Sequence, residues 1–468
     1  MENEKKSWSG QFAFVLAAAA SAVGLGNLWR FPYLAAKYGG GIFLFVYVIL
    51  AFTLGIALLA VEVSIGRRTG HSPIKAFAAA IPKWSILGYL AMLVAFIILP
   101  YYCVIGGWLL KYLCHYSVLL CNPSQNALPD GAFFMSFISS NIQPLVFTVV
   151  FICITAFFIA LGIRKGIEKL NIVLMPLLIL LAAGIAVFVC TQPSTRQGVI
   201  QYIKPDFSKF SPATVVAAMG QVFYSLSLAM GIMITYGSYM RKDSSIERCA
   251  IRIQLFDTAV AFTAGLMIVP AFYVFSKSGI ESGDIGLMFT TLPAVFAKMH
   301  LPGFLGGASL ATSLGFAFFA LALFAGLTSA ISLFEAVLSN TIEVTGMPRK
   351  LATAVLAVIT VLLAAPSALC YGSTPFALKI PFVDMPFLDF CDFLANNILM
   401  PILAFFTVIL AGWILKPSFF YREIRKRDQP FHIPRVFAFI IKWVAPPFIL
   451  TIFTVGILNA LKVISFAK

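Results

Sequence analysis

The stretch from Ala17 to Pro32, AAAASAVGLGNLWRFP, limits the possible folds of this chain more than any other. It opens as a helix apolar enough for a bilayer and then breaks up in its own middle. Gly24 and Gly26 each lower helix propensity by about 1 kcal/mol relative to Ala. Asn27, Arg30 and Pro32 follow closely. A helix interrupted at bilayer depth frees backbone N–H and C=O groups that lipid cannot satisfy. Such a break persists only where it lines a cavity or holds something polar.

The rest of the chain supplies the bilayer. Of 468 residues, 60% are hydrophobic and 11% charged. Apolar segments fall at 12–37, 41–66, 88–115, 143–162, 167–190, 213–240, 249–276, 308–340, 350–368, 390–416 and 436–463. The class is therefore an all-α polytopic membrane protein with eleven transmembrane helices. Lys5 and Lys6 ahead of an apolar run resemble a signal peptide, but the apolar segment continues past the break, which favours an inserted first helix. The net charge of +15 reads as topology and gives no reason to expect nucleic acid. Lys and Arg gather in alternate connections, at Arg67–Arg68, Arg164–Lys165, Arg241–Lys242, Arg349–Lys350 and Lys416–Arg435, whereas Tyr116–Gln143 has none. The positive-inside rule then places the N-terminus in the cytoplasm and the C-terminus outside the cell membrane. The eight cysteines form no CxxC pair; Cys114 and Cys121 are near enough in sequence to pose the question of a disulfide.

The connections divide the chain. Residues 1–190 hold the first five spans and 191–416 the next five, with 417–468 adding a basic loop and the last span. Span six has its own irregularity, SLSLAMG at Ser225–Gly231. Matching broken helices, each opening a five-span half, point to inverted repeats with a binding site between them. The loop 192–212 reads as an ordinary connector. The segment 284–307 is amphipathic, bent at Pro293 and too short to span twice; it reads either as an outer lid or as a plain surface helix. The basic loop 416–434 reads as a topology determinant attracted to anionic lipid.

Polar residues at membrane depth are costly and therefore informative. They are Ser21, Asn27, Arg30, Glu62, Tyr101, Tyr102, Gln221, Tyr224, Ser225, Ser227, Asp257, Thr328, Ser329, Asp392, Asn396 and Asn397. None has the spacing of a catalytic metal or nucleophile motif, and GLGNLW lacks the strand and third glycine of a dinucleotide site. An enzyme is excluded on these grounds. The groups on offer are oxygens: freed carbonyls, an amide, hydroxyls and one carboxylate. This set suits a hard alkali cation. The N–H groups beyond the break, at the positive end of a half-helix, suit a carboxylate. For single Ser and Thr residues such as Ser227 and Ser329, the blander account is bonding to their own helix. Asn27 and Asp257 demand a polar partner, because an unpaired buried charge costs several kcal/mol.

The order AVGLGNLWRFPY, GGGIF, YYCVIGGW, QVFYSLSLAMG with TYGSY, AGLTSAIS and FLDFCDFLANN resembles the neurotransmitter:sodium symporter family, in its prokaryotic eleven-span form. The resemblance implies a five-plus-five inverted-repeat fold and sodium-driven amino-acid uptake by alternating access. It implies two sodium sites, one at Ala22, Asn27, Ser225, Asp257 and the substrate carboxylate, the other at Ala20, Val23, Ala325, Thr328 and Ser329. It places the substrate carboxylate at Leu25, Gly26 and Tyr102, and the amine at Ala22, Tyr224, Ser225 and Ser227. Ile98, Tyr102, Tyr224, Met230, Ser329 and Leu333 would wall the side-chain pocket. Arg30 and Asp392 would form the outer gate; Lys5, Trp8, Ser238, Tyr239 and Glu343 would form the inner one, with Lys5 where Arg is usual.

Three positions refine the expectation. Gly24 replaces the Asp of amine carriers, which argues for a zwitterionic amino acid. Met230 gives a flexible wall, and together these imply a hydrophobic or aromatic amino acid. Asp257 and Ala261 replace the Asn and Ser of chloride-dependent relatives, implying no chloride requirement; Tyr47, Gln221 and Ser225 of that site remain. A proton-coupled transporter of the same architecture, with Asp257 as carrier, and a non-transporting amino-acid sensor are the alternatives.

Overall fold

The structure is a computed structural model that describes residues 7–122, 128–275, 287–298, 310–372, 379–380, 385–425 and 431–460. Among these, nine continuous helices are long and apolar enough to cross a membrane: Gly41–Thr69, Pro82–Cys121, Gln143–Ala160, Ile163–Thr191, Ile246–Tyr273, Leu310–Thr345, Arg349–Leu369, Phe387–Ile414 and Pro434–Leu458. Spans one and six complete the expected eleven, and both are broken. Span one is the pair Gln11–Ala22 and Leu25–Lys37, bent by 60°. Span six is Pro212–Ser225 and Ile232–Ser238, joined by an unwound segment.

The first break lies slightly earlier than the two glycines suggest. Val23 leaves the helix at φ −72°, ψ 92°, and Gly24 is extended. Gly26 is helical again, within Leu25–Leu28. It is glycine for space, because a Cβ there would run into the Tyr224 ring. Span six starts on a capping box, with Ser211 N–H donating to Thr214 Oγ1 at 3.2 Å and Pro212 opening the helix. Its unwound part holds Ser227 at φ 52°, Ala229 at φ 56° and Gly231 at φ 73°. For Ser and Ala this left-handed backbone is strained, at a cost of about 1–3 kcal/mol each, so neighbours must hold it.

Burial sorts the spans. The most apolar stretch of span eight is 78% buried and that of span three 72%, against 33% for spans four and eleven. Spans three and eight are thus the inner scaffold around the broken helices, and four and eleven present side chains to lipid.

Several connections depart from the sequence reading. Helix Pro82–Cys121 runs through both Cys114 and Cys121, separating them by about 10 Å of helix rise, beyond disulfide reach. Both are free thiols. The connector 192–212 contains a helix, Arg196–Ile203, and is pinned to the turn after span one: Asp206 N–H donates to Gly39 O at 3.2 Å and Gly41 N–H to Lys204 O at 3.3 Å. The basic loop forms helix Pro417–Ile424. Its Glu423 accepts from buried Arg67 Nε at 2.8 Å, so Arg67 is a structural cation as well as a topology signal. Of the expected lid, residues 287–298 are described. Phe289 there packs among Trp108, Tyr112, Phe134 and Phe319, against spans three and eight.

Candidate functional site

Breaking span one at Val23 strips four carbonyls, those of Ala20, Ser21, Ala22 and Val23, of their intrahelical partners. The Ser21 carbonyl is taken up by Ser227 Oγ at 3.0 Å and Ser329 Oγ at 3.3 Å. The carbonyls of Ala20, Ala22 and Val23 receive no backbone hydrogen bond from residues past the break. With Ala325, those three supply the carbonyls that the family resemblance assigns to cations. On the far side, Leu25 and Gly26 open a new helical turn, and their N–H groups have no partner within it.

Asp257 on span seven is fully buried and gathers three elements around one carboxylate. Asn27 Nδ2 donates to its Oδ1 at 2.8 Å, and Tyr47 OH donates to its Oδ2 at 3.1 Å. Ser225 Oγ lies 2.6 Å from Asp257 Oδ1 and 3.0 Å from Asn27 Oδ1. Four oxygens from three side chains, with the Ala22 carbonyl at the break, form a hard-cation donor set of the kind that suits sodium. The expected group of Asn27, Ser225 and Asp257 is brought together.

The second expected set meets where span one faces span eight. Ala20, Val23, Ala325 and Thr328 are buried. Thr328 Oγ1 stands 3.1 Å from both the Phe324 and Ala325 carbonyls. The hydroxyl thus makes the local bond usual for Thr in a membrane helix, yet donating its proton leaves its lone pairs free to face a cation.

Between the two broken helices lies a small cavity, of about 30 Å³. Every residue assigned to substrate lines it: Ala22, Leu25, Gly26, Ile98, Tyr102, Tyr224, Ser225, Ser227, Met230, Ser329 and Leu333. Ser21 and Ile232 also line it, unassigned from sequence. Tyr102 OH is buried beside the Ser329 hydroxyl and the Leu25 N–H without a well-formed hydrogen bond to any described residue.

Glu62, which the sequence marked as costly without a role, restrains the unwound segment. Its Oε1 accepts from the Ala229 N–H at 2.7 Å, at one of the strained residues.

Arg30 and Asp392 face each other across the roof but make no ion pair within 4 Å. The Arg30 guanidinium lies over the Tyr224 ring, 5.0 Å from its centroid. Asp392 Oδ1 accepts from Asn396 Nδ2 at 2.7 Å. Tyr224, under Arg30, separates the cavity from a second space of about 40 Å³ lined by Arg30, Asn396 and Asn397.

At the opposite end Trp8 is fully buried. Its Nε1 donates to Tyr236 O and its backbone N–H to Tyr239 O, both at 3.1 Å. Tyr239 OH donates to Glu335 Oε1 at 2.9 Å, and Arg349 grips both Glu335 oxygens. Ser238 only caps its own helix, on Thr235 O. Glu343 does not join this cluster; it holds the Ser72 N–H and hydroxyl and lies 3.7 Å from His71. Lys5 lies outside the described residues. The sequence reading missed Glu335 and Arg349, although Glu335 stands seven residues after Thr328, on the same helix face.

Residues 5–121 and 138–467 match the profile of the Sodium:neurotransmitter symporter family. The chain is 34% identical over 405 residues to the uncharacterized sodium-dependent transporter YhdH of Bacillus subtilis, covering 86% of each. It is 31% identical over 468 residues to an uncharacterized sodium-dependent transporter of Haemophilus influenzae, covering 96% of this chain and 98% of that one. Among solved structures it is similar to MhsT in complex with L-phenylalanine, with a TM-score of 0.84 and 34% identity over 96% of this chain and 99% of that one.

Proposed function

We propose, from the premise that this chain belongs to the sodium:neurotransmitter symporter family and is a sodium-dependent membrane symporter, that its cargo is a hydrophobic or aromatic amino acid taken up without chloride. It is a transporter and no enzyme, built on the eleven-helix, five-plus-five inverted-repeat fold with helices one and six broken. The two repeats are 1–190 and 191–416, and the Trp8 end faces the cytoplasm.

The observation that carries the cargo assignment is the cavity lining. It combines polar groups, the Leu25 and Gly26 backbone and the Tyr102 hydroxyl among them, with the apolar Ile98, Met230, Ile232 and Leu333. This pattern matches a zwitterion with an apolar side chain. Gly24 fits the same reading: a Cβ there would stand 2.9 Å from Ser329 Oγ and 3.3 Å from Tyr102 OH, in the space a substrate carboxylate needs. MhsT, with 34% identity, has been crystallised with L-phenylalanine, which supports an apolar cargo here. Competition uptake in proteoliposomes tests the assignment. Leu, Phe, Tyr or Trp should displace the best substrate, and failure of all four sinks the proposal.

Chloride independence rests on Asp257. Two sodium ions beside a zwitterion need a negative charge nearby, and Asp257 supplies one covalently. Uptake should persist when gluconate replaces chloride; its strict loss refutes the reading. A sodium gradient without a proton gradient should drive uptake, whereas the reverse result would favour proton coupling. Each sodium crossing 100 mV gains about 2.3 kcal/mol, so two ions with a neutral zwitterion supply about 4.6 kcal/mol, a concentration ratio above about a thousandfold. One ion supplies about its square root, so the accumulation ratio measures the stoichiometry.

Gly26→Ala should be the most damaging small substitution in the cavity. Its methyl meets the Tyr224 ring, and overpacking of about 1–3 kcal/mol lowers substrate affinity about 5- to 150-fold. Equilibrium binding of radiolabelled phenylalanine reads this directly. An unchanged Kd would show that the two broken helices do not need to approach so closely.

A further inference from the structure

The connector 192–212 and the turn after span one enclose a cleft of about 660 Å³ that the transport site does not use. Its floor is fixed. The Gly39 and Gly40 backbone is left-handed, at φ 87° and 56°, and Gly40 pairs with Pro205 in an isolated bridge. A Cβ on Gly40 would run into the Gln201 carbonyl, so only glycine permits this closeness.

Around that floor stand Lys37, Lys204 and Lys209, with Gln197, Gln201 and Tyr273 as further donors. No carboxylate among the described residues pairs with any of the three lysines within 4 Å. Asp206, the one acid in the lining, turns its Oδ1 to Ser208, accepting from its hydroxyl at 2.6 Å and its N–H at 3.1 Å. These bonds, the hydroxyl's foremost, hold the Asp206 carboxyl below the usual carboxylate range. Lys37 Nζ donates to Tyr33 OH at 3.3 Å, and Lys204 and Lys209 share the field of Asp206, so the cleft carries a net positive charge of three lysines against one carboxylate.

The surroundings are apolar. Val269 and Phe272 form an inner wall, and Ile200 stands half exposed at the edge. Further along the same connector Ile203, Phe207 and Phe210 are exposed at 50%, 73% and 51%. Exposed large apolar side chains in the connector just ahead of span six suit contact with a membrane surface. A ligand here meets cations at its head and hydrocarbon at its flank.

We propose that this cleft binds the phosphate of an anionic membrane phospholipid, with its acyl chains along Ile203, Phe207 and Phe210. The site is separate from the cargo cavity and stands independently of which amino acid is carried. Because it bridges the end of span one to the segment leading into span six, a bound headgroup clamps together the entries to both broken helices.

Native mass spectrometry of the full chain, released from nanodiscs of equal parts phosphatidylglycerol and phosphatidylcholine, tests the proposal. Wild type should retain phosphatidylglycerol preferentially. The exposed double variant Lys204→Glu/Lys209→Glu should retain it at least about 25-fold less, since each lysine near an anionic surface contributes about a factor of five. Lys83→Glu, elsewhere on the surface, should leave retention unchanged. Equal retention of the two lipids by wild type, or undiminished retention by the double variant, overturns the proposal. Amine footprinting of wild type identifies the source of the phosphate. Phosphatidylglycerol vesicles should shield Lys204 and Lys209, and shielding by inorganic phosphate alone would overturn the membrane assignment.

Discussion

Asp257→Ala is expected to abolish sodium-driven uptake, lowering kcat/KM by at least about 100-fold. The carboxylate faces Asn27, Ser225 and Tyr47 in a fully buried site. Truncating it removes the only formal negative charge among these groups, and a cation brought there would have no counterion. Breaking a buried ionic contact costs about 3–5 kcal/mol, or more than two decades in affinity. The loss has two possible origins, misfolding and charge, which Asp257→Asn separates. Asn keeps the volume and an acceptor for the Asn27 amide while removing the charge. It should fold, bind sodium weakly and still fail to transport in gluconate. Adding Ala261→Ser and chloride should restore uptake, because a mobile anion can then stand where the fixed one was. Uptake measured in sodium chloride against sodium gluconate reads all three variants. Retention of uptake within about threefold by Asp257→Ala would remove the carboxylate from the mechanism.

The break in span one and the lining of the cavity were legible because both are local. Small residues, one Asn and freed backbone groups sit within a few positions of each other, and the cost of polar groups in lipid makes each of them informative. What sequence reasoning missed is long-range pairing. Arg349 counted only as a cytoplasmic cation, yet it grips Glu335. Arg67 likewise counted as topology, although its partner Glu423 lies in helix Pro417–Ile424, far along the chain. A charge at a helix end looks the same in sequence whether it is solvated or paired. Glu343 was assigned to the inner cluster, and the structure puts it on Ser72 and His71 instead. Connector 192–212 looked ordinary because its role depends on backbone bonds to Gly39 and Gly41, which no side-chain pattern announces.

The Glu335 cluster leads to the second large effect. Tyr239→Phe is expected to open the Trp8 end of the protein without unfolding it. Glu335 and Arg349 belong to neighbouring spans eight and nine and form a fixed pair. Tyr239 follows the second half of broken span six, and its backbone carbonyl receives the Trp8 N–H. If the broken helices move against the scaffold, the Tyr239 hydroxyl on Glu335 is the bond that must part, whereas the Glu335–Arg349 pair stays. A hydrogen bond to a charged acceptor contributes about 1.5–3 kcal/mol, so its loss shifts the closed-to-open ratio about 10- to 100-fold. Amide hydrogen exchange over residues 11–22 should accelerate by about that factor, because release of Trp8 exposes that half-helix. Glu335→Ala should accelerate it at least as much, since it also strips half-buried Arg349 of its carboxylate partner. The decisive comparison is the double variant: with Glu335 already gone, Tyr239→Phe should add nothing. Additive effects would mean the two residues act separately, and unchanged exchange in Tyr239→Phe alone would mean that this bond does not hold the end closed.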